Sequence, residues 1–223
     1  RGISLVMQPG ACFALLGHNG AGKTTAIKMI TGQLSMSSGD AVVHGLSAHA
    51  DAPAVRRLLG ICPQHDILYE ELSAIEHLQL YGALKGRWLH ATDPALKALI
   101  EAVKLTKVRH KRAGTYSGGM KRRLSCIVAF VGEAQVVMLD EPTTGMDPMS
   151  RNFVWDYLRL AKVARVLLLT THSMEEADAL GDRIGIMSEG QLTALGSSVH
   201  LKRRFGNGYR MQLVAPEAVS YTH

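Results

Sequence analysis

Hydrophobic positions follow two rhythms in this chain: short unbroken runs, and longer stretches with helical spacing. Residues 12–16, 136–139 and 166–169 are unbroken apolar runs, the pattern of strands buried on both faces of a parallel sheet. A helix is predicted at about 149–160 between the last two, giving a strand–helix–strand crossover. Another is predicted at 25–30, behind the first run. Shorter strands are predicted at 41–44, closed by Gly45, at 61–64 with Gln64 exposed at the end, at 184–187 and at 191–193. A last helix and a strand near 209–214 follow. Asp51-Ala52-Pro53 starts a further helix that runs to about Leu59, with its proline in the first turn. Residues 1–7 read as a strand already under way, as at the edge of a longer chain.

Between Glu71 and Lys111 the rhythm is helical alone. Ser73 and Glu76 have the spacing of a capping box, and Ile75, Leu78, Leu80, Tyr81 and Leu84 recur at helical intervals. A second helix starts near Asp93-Pro94 and carries Leu96, Leu99, Ile100 and Val103. The basic residues of 104–112 close this stretch, as a solvated face or a contact surface. No repeat or low-complexity tract occurs. The pattern predicts an α/β domain with a mostly parallel sheet and a helical insert.

The first apolar run leads into Gly17-His18-Asn19-Gly20-Ala21-Gly22-Lys23-Thr24, followed by Thr25 and the predicted helix. A strand–loop–helix context is what G-x-x-x-x-G-K-[ST] requires of a phosphate-binding loop. Glycines reach backbone angles closed to other residues, so successive N–H groups can converge on one anion. The helix N-terminus adds partial positive charge. Lys23 supplies a full charge toward the β- and γ-phosphates, and the Thr24 hydroxyl suits Mg²⁺.

The 223 residues, 47% of them hydrophobic, suffice for one sizeable core, or for one domain with a smaller lobe. A net charge of +6 permits contact with an anionic surface without requiring it. Cys12, Cys62 and Cys126 are isolated and odd in number, which fits buried apolar positions better than disulfides or a metal cluster. No apolar run approaches the ~20 residues a membrane span needs, and no leader pattern opens the chain. Taken alone, the chain reads as a soluble cytosolic domain.

Further candidate chemistry sits at the ends of predicted strands, where open α/β sheets bind ligands. Asp140 directly follows one apolar run and is placed to hold Mg²⁺, and Glu141, one residue on, to take a proton from water. His172 ends another run, within reach of a γ-phosphate or the attacking water, and Gln64 offers an amide oxygen. A second Gly-rich turn, Tyr116-Ser117-Gly118-Gly119-Met120, opens an apolar helix capped by Ser117 and is a second anion site without a lysine–threonine pair.

In this order the pieces resemble the nucleotide-binding domain of ATP-binding cassette (ABC) transporters across nearly all of residues 1–223. Gly17 to Thr24 looks like the Walker A motif, Gln64 the Q-loop, and Tyr116 to Met120 the signature. Asp140 and Glu141 resemble the Walker B end with its catalytic glutamate, Asp147 the D-loop, and His172 the switch histidine. The insert 71–111, continuing into the signature helix, falls where the family places its helical subdomain, and 196–223 forms a C-terminal extension. Cys62-Pro63-Gln64-His65-Asp66, Gly118 to Ser125, Leu139 to Pro148 and the tail from Leu195 to Tyr209 resemble subfamily A, the lipid-exporting branch. Gly17-His18-Asn19 and His65 resemble its first nucleotide domain. Met120 departs from the usual signature glutamine, and no aromatic residue upstream of Phe13 is suited to stack on adenine.

The resemblance implies a P-loop fold with a small antiparallel β subdomain, and an ATPase that uses ATP and Mg²⁺. Residues 17–25 would bind nucleotide, with Lys23, Glu141 and His172 in the reaction and Thr24, Gln64 and Asp140 at the metal. It implies a head-to-tail sandwich in which Ser117, Gly118 and Gly119 cover the nucleotide of a second such domain, on the same or a sister chain, coupled through Asp147. Transmembrane domains, a lipid substrate bound elsewhere, a place on the cytoplasmic face of a membrane and no nucleic-acid partner are also implied. The rival is a soluble ABC ATPase acting on ribosomes or DNA. No N-K-x-D motif supports a small GTPase.

Overall fold

The computed structural model describes residues 2–132 and 134–206. Its main sheet contains β1 (Cys12–Leu16), β4 (Leu59–Cys62), β5 (Val136–Asp140), β6 (Val166–Thr171), β7 (Arg183–Ser188) and β8 (Gln191–Gly196), in the order β4-β5-β6-β1-β7-β8. Only β8 runs antiparallel, against β7. A separate hairpin pairs β2 (Val42–Val43) with β3 (Leu46–Ser47). Both of its turn residues, His44 and Gly45, have positive φ, 49° and 82°, which matches the right-handed twist of the strands they join.

The unbroken runs follow from burial on both faces. Cys12, Ala14, Leu16, Val137, Leu139, Leu167 and Leu169 enter one core with α6 (Pro148–Ala161), α7 (Met174–Leu180) and α8 (Ser198–Phe205). The intervening Phe13, Leu15, Val136, Met138, Val166 and Leu168 enter a second core with α1 (Lys23–Ile30) and α2 (Ala52–Leu58). Alternate side chains of a strand point to opposite faces, so two covered faces require apolar residues throughout.

A third core joins α3 (Ala74–Leu84), α4 (Pro94–Ala102) and α5 (Gly118–Val128) through Leu78, Leu96, Ile100, Leu124 and Ile127. Cys126 of α5 belongs to the first core, so this helix is shared between the insert and the sheet. The capping box forms: Ser73 N–H donates to Glu76 at 2.7 Å, and Glu76 N–H donates to the Ser73 hydroxyl at 3.4 Å. Asp93 and Ser117 cap α4 and α5 with a single bond each, accepting from the Ala95 and Met120 amides.

Three expectations need correction. Residues 2–7 form no strand; Ile3, Leu5 and Met7 pack on the second core, but the β2–β3 hairpin pairs only with itself among the described residues. Those residues therefore have the side-chain alternation of a strand without a ladder. The strand expected at 41–44 shrinks to Val42–Val43, because His44 already turns the hairpin. Leu59 does not end α2 but opens β4, with ψ of 140°. The strand expected near 209–214, and the extension beyond 206, lie outside the described residues.

Candidate active site at the carboxyl edge of the sheet

The phosphate-loop candidate leaves β1 between its two neighbours. Gly17 N–H donates to Thr171 O of β6 (3.2 Å), and Ala21 O accepts from Gly190 N–H (2.9 Å) in the turn joining β7 to β8. The loop is thus braced from both sides. A Cβ on Gly17 would lie 2.5 Å from the backbone oxygen of Met187, so the loop approaches β7 more closely than any side chain permits. Gly22, with φ of 101°, occupies the N-cap of α1 and provides no side-chain cap. His18, Asn19 and Gly20 are exposed, Ala21 is buried, and Thr24 is half-buried with Thr25 exposed beside it.

Lys23 lies beneath this loop, 5% exposed. Its Nζ donates to Gly17 O (2.8 Å) and His18 O (3.1 Å) and pairs with Glu141 Oε1 at 3.5 Å. The ammonium therefore joins the loop to the end of β5. Alignment of β5 with β6 sets Asp140 opposite Thr170, and the Thr170 hydroxyl donates to Asp140 Oδ1. Both side chains are buried, so this bond holds the carboxylate in one orientation.

Glu141 begins the turn after β5 with φ of 49°, an unusual conformation for a residue with a side chain. Its N–H donates to Thr170 O at 3.0 Å. Its Oε2 accepts from the Thr144 hydroxyl (3.2 Å) and lies 3.1 Å from His172 Nδ1. An ionised carboxylate has no hydrogen to give, so Nδ1 carries the proton. In the neutral ring Nε2 is then an acceptor, and it becomes a donor only when the imidazole holds both protons.

Lys23, Glu141 and His172 form one chain of contacts, with Asp140 next to Glu141 at the end of β5 and Gly17 and His18 bonded to Lys23. Gln64, His65, Asp66, Gly118, Gly119, Arg122, Thr144, Gly145 and Met146 line a cleft of ≈ 260 Å³ that includes no phosphate-loop residue. Ser117 and Gly118 are exposed at the start of α5. Asp147 is the N-cap of α6, and the Ser150 amide that donates to it (2.9 Å) holds its carboxyl below the usual range. Thr24, Asp140 and Gln64 offer a hydroxyl, a carboxylate and an amide oxygen, the hard donors Mg²⁺ prefers, and few enough to leave room for water and phosphate.

The sequence profile described as ABC transporter matches residues 1–144, more than half the chain. The chain belongs to the ABC transporter family. Its domain class is the ABC ATPase domain, and the three-dimensional comparisons agree. A protein titled as the ATP-binding subunit of an ABC transporter superposes with a TM-score of 0.78 at 30% identity, covering 92% of this chain and 85% of that one. The dimeric ATP-binding cassette MJ0796, in a post-hydrolysis state bound to ADP and Pi, has a TM-score of 0.76 over 88% and 89% of the two chains; at 20% identity it speaks to the fold alone.

Several ABC transporters of subfamily A are similar to this chain. ABC transporter A family member 2 of Arabidopsis thaliana is 47% identical over 94% of this chain, and ATP-binding cassette sub-family A member 2 of Homo sapiens is 50% identical over 93%. Phospholipid-transporting ATPase ABCA3 of Mus musculus is 45% identical over 99%. This chain spans 22%, 8% and 13% of those three proteins, respectively. No helix among the described residues is long and apolar enough to cross a membrane.

Sequence reasoning missed two buried residues next to the site. Glu176 accepts through Oε1 from the Thr143 hydroxyl (2.5 Å) and from Trp155 Nε1–H (3.2 Å). Arg122 bonds the backbone on both sides of Glu141. A signal for Arg122 was present: Ser125 and Cys126, three and four positions on, share its helix face, and both are buried.

Proposed function

We propose that this domain binds Mg·ATP at residues 17–25 and hydrolyses it, with Glu141 accepting a proton from the attacking water. The carrying observation is the chain of contacts from Lys23, at the start of α1, through Glu141 to His172, beside Asp140 at the carboxyl ends of the adjacent parallel strands β5 and β6. Lys23 and the loop amides neutralise charge on the β- and γ-phosphates. Mg²⁺, held by Thr24, by Asp140 and by the Gln64 amide oxygen, would spread that charge further. His172 orients the Glu141 carboxylate through Nδ1–H; protonated at both nitrogens, it also donates from Nε2 to the γ-phosphate. Water adds to phosphorus as the bond to the bridging oxygen breaks, giving ADP and phosphate. Positioning and electrostatics provide most of the acceleration in such transfers.

The Ser117, Gly118 and Gly119 turn, exposed at its first two residues, serves a different nucleotide, that of a second nucleotide-binding domain in a head-to-tail sandwich. Gly118 and Gly119 line a cleft that contains no residue of 17–25, which supports this reading, and Asp147 couples the two sites from the α6 N-cap. Closing and reopening of the sandwich, at the cytoplasmic face of a membrane, drives transmembrane domains to move a lipid. The similarity to a phospholipid-transporting ATPase supports the lipid assignment, and Gly17-His18-Asn19 and His65 favour the first nucleotide domain. The core shared by α3, α4 and α5 supports reading residues 71–111, continued into the α5 helix, as a helical subdomain.

Two substitutions test the chemistry. Glu141→Gln retains ATP and loses turnover by about 10²–10⁴-fold, the usual contribution of a general base; turnover at the parent rate refutes that role. Lys23→Ala loses nucleotide itself, measured by equilibrium binding, and unchanged occupancy refutes the phosphate site.

A further inference from the structure

β4 ends at Cys62, opposite Leu139, and beyond that pair β5 has no β4 partner. The backbone carbonyls that follow on both strands therefore need other donors. Arg122, one turn inside α5 and 5% exposed, supplies them. Its Nη2 donates to Asp140 O (2.8 Å) and Glu141 O (2.9 Å), and its Nε donates to Pro142 O (2.9 Å). Its Nη1 donates to Pro63 O (2.6 Å) and Asp66 Oδ1 (3.0 Å). One guanidinium thus holds three consecutive carbonyls around Glu141 and the backbone just before Gln64.

This contact matters because Glu141 sits in the left-handed region, φ 49°, where a side-chain-bearing residue persists only if its surroundings enforce it. The planar fork of five N–H groups satisfies several acceptors at once, which neither the single ammonium of lysine nor a glutamine amide can do. The same helix begins with Ser117, Gly118 and Gly119. The turn that would cover a partner's nucleotide and the group that fixes this chain's own Glu141 are therefore one turn apart on a single rigid element.

We propose that Arg122 is a positioning residue for ATP hydrolysis, fixing the Glu141 carboxylate and tying it to the Gln64 segment and the Ser117 turn. The inference rests on the reading of Glu141 as the proton acceptor. Because Arg122 touches no phosphate-loop residue in these hydrogen bonds, its loss lowers turnover while leaving nucleotide affinity in place.

The test uses the full-length transporter that contains this domain, with ATP turnover measured against ATP concentration and nucleotide affinity measured with a fluorescent ATP analogue. Arg122→Gln should lower kcat by about tenfold to a hundredfold, the effect of displacing a reacting group by about 1 Å, with KM and affinity within about twofold of the parent. Arg122→Lys should recover part of that loss. Unchanged kcat, or kcat and affinity falling together, overturns the proposal. If Arg122→Gln does not fold, Asp66→Ala decides: it frees one end of the guanidinium at a partly exposed position, and kcat must fall at unchanged KM, with a parental kcat overturning the proposal. Glu141→Gln is run beside them. Full turnover there refutes the Glu141 reading itself, whereas an inactive Glu141→Gln beside a fully active Arg122→Gln refutes only the role of Arg122.

Discussion

Replacing Glu176 by alanine removes the acceptor that joins three segments near the site. Glu176 is 2% exposed, and its Oε1 receives both the Thr143 hydroxyl and the Trp155 indole N–H. Alanine leaves two buried donors without a partner, each costing about 1–3 kcal/mol. A total near 3 kcal/mol corresponds to a melting temperature lower by roughly 6–12 °C for a chain of this size. Glutamine keeps an amide oxygen at the same position and exchanges a charge-assisted bond for a neutral one, so its cost is about 1 kcal/mol. Thermal unfolding by circular dichroism measures both variants. Tryptophan emission adds a local readout, because Trp155 is 6% exposed and Trp88, the other tryptophan, is 84% exposed. In a Trp88→Phe background the alanine variant should shift the Trp155 emission. A melting temperature within about 2 °C of the parent for Glu176→Ala, or a glutamine variant as damaged as the alanine one, refutes the acceptor argument.

Other outcomes follow from single features. A methyl group at Gly17 would meet the Met187 carbonyl at 2.5 Å, so Gly17→Ala should weaken ATP binding by at least about tenfold, read by calorimetry, and parental affinity would contradict the close approach. His77 is fully buried, accepts from Tyr69 N–H at Nε2 and donates to Ser73 O from Nδ1, and burial holds its pKa below the ordinary value of 6.5. The unfolded chain therefore takes up that proton first as pH falls. Stability should decline below about pH 6.5, by at most ~1.4 kcal/mol per unit, and level off below the folded pKa. Urea midpoints between pH 7.5 and 5 measure this, and a His77→Gln variant with an undiminished slope would assign the effect elsewhere. Cys12, Cys62 and Cys126 are 0–2% exposed, and burial pushes the Cys12 thiol up to about 12; a thiol reagent at pH 8 should label none of them before unfolding.

The unbroken runs at 12–16, 136–139 and 166–169 disclosed the central strands because both sheet faces are covered, and the Ser73–Glu76 spacing disclosed a helix start because both of its bonds are local. The phosphate site proposed at Gly17 to Thr24 could be recognised as a pattern because its residues are eight consecutive ones. Residues 2–7 misled for a related reason: side-chain alternation records burial on one side, whereas a strand also requires a neighbour, and that neighbour is a tertiary fact. The β2–β3 hairpin was half seen, since Gly45 marked a turn while the positive φ of His44 left no strong compositional trace. Arg122 and Glu176 were hidden because they act on backbone and side chains 18–59 and 21–33 positions away, distances over which periodicity carries no information.

The strand that leads into Gly17, β1, lies between β6 and β7, with Cys12 opposite Leu167 and Leu16 opposite Ile186. During synthesis at about 5–20 residues per second, roughly ten to thirty seconds separate the first of these segments from the last. Until β6 is made, near the end of that interval, a five-residue greasy stretch has neither of its lasting partners, while the helices of 71–111 can already pack with one another. A chain that ends before residue 166 lacks both neighbours of β1 and cannot assemble the centre of this sheet.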